Sequence, residues 1–149
     1  ALLIFVRFTM FVSQSDVTLR AAMSYFWIGL GSAIGGVSRY WCSSVVVRLT
    51  NEGFPWGTIV VNVAGSLIIG FVATLMPPDS RIVALPHARD FLMIGVLGGY
   101  TTFSAFSLQT LSLAREGQWV PAAINVFLSV SLCLIAVWLG HVAASAVAR

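Results

Sequence analysis

The residues of this chain with the most chemical potential are polar or aromatic and stand inside apolar surroundings. Thr58, Asn62 and Ser66 recur every four residues in the stretch Gly57-Thr-Ile-Val-Val-Asn-Val-Ala-Gly-Ser-Leu-Ile-Ile-Gly70. On a helix that spacing gathers them on one face. Such a stripe either holds helices together by hydrogen bonds or offers donors to a small ligand. Phe103 and Phe106, three apart, also share nearly one face. A phenyl ring has a negative face and a positive edge, so two ring edges beside an amide donor such as Asn62 could hold a small anion. No fixed charge would then bind it too tightly for conduction. Asn125, Ser129 and Cys133 form a third series at intervals of four. Ser129 can donate to the same pathway or bond its own helix backbone.

A second feature is the string Gly95-Val-Leu-Gly98-Gly99-Tyr100-Thr101-Thr102-Phe103-Ser104-Ala105-Phe106-Ser107. Two adjacent glycines followed by two threonines are poor material for a continuous helix. Glycine lowers the cost of a break, and threonine hydroxyls can satisfy the backbone groups that it exposes. A break also frees carbonyl oxygens, which suit a hard cation. Close packing through small residues, with Gly95 and Gly99 four apart, is the other reading of the same letters. Gly31 and Gly35 repeat that small-residue spacing. Arg39, in an otherwise apolar run, either snorkels to an interface or supplies positive potential at a vestibule.

The elements that must carry these residues are membrane spans. Of 149 residues, 58% are hydrophobic and 9% charged, against about 25% charged in a soluble domain. The mean hydropathy is +0.94. No charged residue occurs from Gly53 to Pro78, from Phe91 to Ala114 or from Gly117 to Ala148, and each window exceeds the roughly 20 residues that cross hydrocarbon. A fourth run, about 23–47, is interrupted only by Arg39. The expected fold is therefore an all-α integral membrane protein with four transmembrane helices, at about 23–47, 57–76, 91–114 and 120–145, the third of them broken mid-span. Pro55, Pro77 and Pro78 are expected to stop helices. Trp27, Trp41, Trp56, Trp119 and Trp138 tend toward span ends, where aromatic belts form.

Residues 23–149 read as a single membrane domain. Residues 1–22 read as an interfacial extension or upstream sequence outside the core, with no basic stretch to make them a signal peptide. The net charge of +3 comes from arginines placed singly, which suits loops at lipid headgroups and not nucleic-acid binding. Cys42 and Cys133 lie in apolar runs and read as packing residues. Arg81, Arg89 and Arg149 on one side face Arg48 and Arg115 on the other, with Arg7 and Arg20 joining the first group if the extension counts. That bias is too weak to fix one orientation, so insertion both ways round is permitted.

Three segments carry a family resemblance: Gly35-Gly36-Val-Ser-Arg39-Tyr40, Gly57-Thr-Ile-Val-Val-Asn62-Val-Ala-Gly65 and Gly98-Gly-Tyr-Thr-Thr-Phe103-Ser-Ala-Phe106-Ser107. In this order, across about residues 24–145, the chain resembles the bacterial fluoride channel family, CrcB or Fluc. The resemblance implies an antiparallel, dual-topology homodimer with two narrow fluoride pores, passively exporting cytoplasmic fluoride across the bacterial inner membrane. It implies that Asn62, Phe103, Phe106, Ser129, Thr102 and Ser104 belong to the fluoride pore and that Arg39 is the vestibule arginine. It also implies one structural sodium ion at the dimer centre, held by the backbone carbonyls of Gly98 and Thr101 from both subunits.

The chain departs from that pattern at four places. Ala105 stands where a threonine is common, Gln109 where a glutamate is frequent, Asn125 where some relatives carry an aromatic hydroxyl, and Tyr100 is bulkier than usual. The competing reading is a small dual-topology multidrug transporter of the same size and helix count. Such exporters use a membrane-buried glutamate, and here every acid lies outside the expected spans. An enzyme is not expected, since no nucleophile–base pair or metal-ligand cluster is present.

Overall fold

The computed structural model describes residues 2–50, 53–76 and 87–148, with side chains from residue 18 onward. Among these residues the chain is helical, with no strand. Helix α1 runs Leu2–Leu49 and α2 Trp56–Leu75. Helix α3 is π-helical over Asp90–Leu97 and α-helical over Gly98–Tyr100. Helix α4 covers Phe103–Arg115 and α5 Trp119–Val147. The second and fourth expected spans match α2 and α5 to within two residues at either end.

Among the described residues, three stretches are long and apolar enough to cross a membrane: Trp56–Leu75, Asp90–Arg115 and Trp119–Val147. The second of these contains both α3 and α4. The first expected span, 23–47, lies inside α1, which does not begin at Met23 but continues unbroken from the extension. At 48 residues α1 is about 72 Å long, more than twice the roughly 30 Å of a hydrocarbon core. The connection from Pro77 to residue 86, and with it Pro78 and Arg81, lies outside the described residues, as do Arg149 and the side chain of Arg7.

Small residues set the packing. Helix α2 lies along α5, while α1 lies along α3 and touches α2. At the α1–α3 contact the Gly31 and Gly95 backbones meet, so that a Cβ added to Gly95 would come 2.9 Å from Gly31 Cα. At the α2–α5 contact a Cβ on Gly140 would run into the Leu67 carbonyl. Backbones this close exclude any side chain between the helices, and dispersion over the contact replaces the hydrophobic drive that lipid does not provide. The turn from α4 to α5 is made by Glu116, Gly117 and Gln118. Gly117 adopts φ +79° there, a conformation that costs glycine little.

The break comes where the glycines and threonines predicted it. Helix α3 ends at Tyr100, and Thr101 (φ −82°, ψ 158°) and Thr102 (φ −153°, ψ 113°) are extended before α4 starts at Phe103. Close packing is present as well: a Cβ on Gly99 would lie 2.7 Å from the Ser32 carbonyl of α1. The two readings of the glycines are both satisfied, because α1 and α2 pack around the interrupted helix.

Candidate functional site

Two extended residues in apolar surroundings need partners for their backbone groups, and Asn62 of α2 provides them. Its Oδ1 accepts from the Thr102 N–H at 2.8 Å, and its Nδ2 donates to the Thr102 carbonyl at 3.0 Å. Because a backbone N–H only donates and a carbonyl only accepts, this pair fixes the amide orientation. In a continuous helix the Thr102 N–H would bond the Gly98 carbonyl; here Asn62 takes it instead. Thr101 stays on the ladder, its N–H and its Oγ1 each donating to the Leu97 carbonyl at 3.1 Å.

Thr102 also starts the next helix. Its Oγ1 accepts from the Ala105 N–H at 3.1 Å, an N-cap bond, and lies 3.2 Å from Ser104 Oγ. The cap satisfies one of the free N–H groups of the first turn of α4. That turn is the positive end of the α4 dipole, and it lies at the break itself.

The break separates two cavities, and Thr102 lines both. One, of about 340 Å³, is bounded by Asn62, Ser66, Thr101, Phe103, Phe106, Ser129 and Cys133 among others. The rings of Phe103 and Phe106 are 5.1 Å apart between centroids and tilted by 53°. Phe106 is 7% exposed and Phe103 75% exposed, so the pair runs from the packed interior to the outer surface of the chain. The other cavity, of about 490 Å³, is lined by Arg39, Ser43, Thr58, Ser104 and Gln109 among others.

The polar stripe on α2 thus connects the two cavities: Thr58 faces the second, Asn62 and Ser66 the first. Ser104, grouped with the pore residues by resemblance, lines the Arg39 cavity instead of the one with the phenyl rings. Arg39 does not snorkel away from the break. Its Nη1 donates to the Thr101 carbonyl at 3.4 Å, a long, charge-assisted contact from α1. Gln109, where the resemblance places a glutamate, has its Oε1 buried with no hydrogen-bond partner among the described residues.

On α5, Ser129 lines the aromatic cavity, and its hydroxyl is bonded to a side chain of its own helix instead of the backbone. Its Oγ donates to the side-chain Oδ1 of Asn125 at 3.3 Å, and Asn125 Nδ2 donates to Thr110 Oγ1 of α4 at 2.8 Å. Thr110 in turn donates to the Phe106 carbonyl at 2.8 Å. The sequence reading missed Thr110 altogether, although its spacing of four from Phe106 was available. It also missed the hydroxyl of Tyr100, which donates to Cys42 Sγ at 3.3 Å. Nor did spacing signal the group at one end of the bundle, where Ser24 Oγ is 3.1 Å and Asp90 Oδ2 3.3 Å from His87 Nδ1.

Comparison with known proteins covers the stretch of chain that holds the site. A model of the CrcB-like protein family, described as Camphor Resistance (CrcB), matches residues 26–141. The chain is 54% identical to the fluoride-specific ion channel FluC of Paramagnetospirillum magneticum over 127 residues, 85% of this chain and 99% of that one. It is 54% identical to the protein of the same name from Rhodospirillum rubrum over 122 residues, 82% of this chain and 95% of the other. With that of Opitutus terrae the identity is 57% over 120 residues, covering 80% and 91%.

Proposed function

The chain belongs to the CrcB-like family, and from that membership and the geometry of its broken helix we propose how it works as a fluoride-specific ion channel. The observation that carries the mechanism is the cavity at the break, where two tilted phenyl rings meet an amide-braced gap between helices. Fluoride is small and strongly hydrated. A narrow site has to replace its water with donors strong enough to admit the ion and weak enough to release it.

The chain supplies such donors without a cation inside the aromatic cavity. The ring edges of Phe103 and Phe106 present weakly positive C–H groups. Asn62 uses one Nδ2 hydrogen on Thr102, and an amide has a second. The α4 N-terminus adds its positive end. Arg39 raises the potential of the neighbouring cavity, which we read as the vestibule, with Ser104 and Thr58 on its wall. Fluoride then moves passively down its electrochemical gradient, and cytoplasmic fluoride falls.

The working unit we propose is an antiparallel homodimer of dual topology, with four spans per chain and multi-pass residence in the bacterial inner membrane. The 75% exposure of Phe103 supports it, because a ring meant to touch the ion needs a second wall. The near balance of arginines between the two sides supports insertion in both orientations. A structural sodium ion fits the same arrangement. The Gly98 carbonyl has lost the Thr102 N–H, and the Thr101 carbonyl, which accepts from Arg39, keeps a second lone pair. When bound, sodium would supply a fixed positive charge at the centre of the dimer; Gly98 and Thr101 of each chain would hold it.

Fluoride efflux from liposomes containing the purified protein tests the reading. Efflux well above that from empty vesicles is expected, and efflux no faster than from empty vesicles would overturn it.

A further inference from the structure

The bonds that end at Ser129 have a fixed direction. The Phe106 carbonyl can only accept, so the Thr110 hydroxyl must donate to it. Thr110 Oγ1 is then an acceptor toward Asn125, whose amide must turn its Nδ2 that way. The carboxamide therefore presents Oδ1 to Ser129, and the Ser129 hydroxyl donates to it. Read outward from its one obligate acceptor, the network orients the Asn125 amide, and the bond to Ser129, at 3.3 Å, is its longest. Asn125 is 1% exposed and Ser129 5%, so neither is open to bulk solvent, and Ser129 is reached only through the cavity. Ser129 lines the aromatic cavity and Asn125 does not, so while the Ser129 hydroxyl donates to Asn125 its proton is not offered to that space.

We propose that Asn125, through Thr110, is a positioning residue that holds the Ser129 hydroxyl away from the ion pathway and so weakens fluoride binding in the aromatic cavity. This rests on the channel reading above. An anion needs the hydroxyl proton, and to obtain it Ser129 must give up its bond to Asn125. The bond is long and buried, so the donor is withheld but within reach. Conduction benefits from such an arrangement, because a site that binds too well releases slowly.

Removing the acceptor should free the hydroxyl. Asn125→Leu keeps the branched shape, is somewhat bulkier and deletes the amide. In proteoliposome efflux it is expected to lower the fluoride concentration giving half-maximal rate by about fivefold, the factor of one ordinary hydrogen bond, with a smaller change in the maximal rate. In a Ser129→Ala background the same substitution is expected to leave the half-saturating concentration where Ser129→Ala alone puts it. Thr110→Val removes the group that orients the amide without touching Asn125, and is expected to shift the half-saturating concentration in the same direction. Elution volume in detergent reports whether each variant remains folded.

An equal shift with and without Ser129, or no shift in either Asn125→Leu or Thr110→Val, overturns the positioning role while leaving the channel reading intact. Wild-type protein that passes no fluoride overturns both.

Discussion

At the residue scale, the site is made of side chains whose polar ends are mostly engaged with the protein. Asn62 was legible from sequence as one member of a stripe on α2, and the stripe is real. Its bond to the Thr102 backbone was not legible, because 40 residues separate them and only the packing of α2 against the break brings them together. The phenyl pair was readable from spacing alone; the depth at which each ring sits was not. If the ring edges hold the ion, Phe103→Ile or Phe106→Ile removes a contact worth about 0.5–1.5 kcal/mol. Efflux is then expected to fall by up to roughly tenfold while the elution profile in detergent stays unchanged. Unchanged efflux in both variants would take the rings out of the pathway.

At the scale of elements, the interrupted third span is the feature on which the rest depends. Gly98, Gly99, Thr101 and Thr102 announced it, since residues that weaken a helix and residues that repair its loose ends stood side by side. The π-helical turns of Asp90–Leu97 were not announced. Nothing in DFLMIGVL distinguishes an i→i+5 pattern from an ordinary helix, and π-helical turns often occur near functional sites. The length of α1 was also missed, because the polar stretch Ser13–Arg20 reads as an interruption in hydropathy while its backbone carries the helix straight through. Thr102 is the joint of the break. Thr102→Ala deletes the cap of α4 and is expected to cost about 1 kcal/mol in denaturant unfolding monitored in detergent, whereas Thr102→Ser, which keeps the hydroxyl, is expected to cost much less. Equal losses in the two variants would mean that the cap contributes nothing.

For the whole molecule, sequence gave the solvent more readily than the assembly. Charge-free windows and scarce charged residues point to lipid without any structural knowledge, and three long apolar stretches bear that out. Assembly is a relation between surfaces, and periodicity within one chain reports only which face is apolar. In the proposed dimer the carbonyls of Gly98 and Thr101 from two chains would hold one sodium ion, and that ion would then belong to the stability of the pair. Prolonged dialysis of the purified protein into sodium-free buffer is therefore expected to lower the dimer fraction seen by cross-linking, and restoring sodium to recover it. A dimer fraction indifferent to sodium would remove the ion from the account.

A broken-helix bundle of this kind should pass fluoride and discriminate against a larger halide. That selectivity is tested most directly by following fluoride and chloride efflux side by side from proteoliposomes loaded with both potassium salts, with valinomycin added to clamp the potential. Rapid fluoride release is expected, with chloride release no faster than from protein-free vesicles. Release of both ions at similar rates, or of neither, would contradict it.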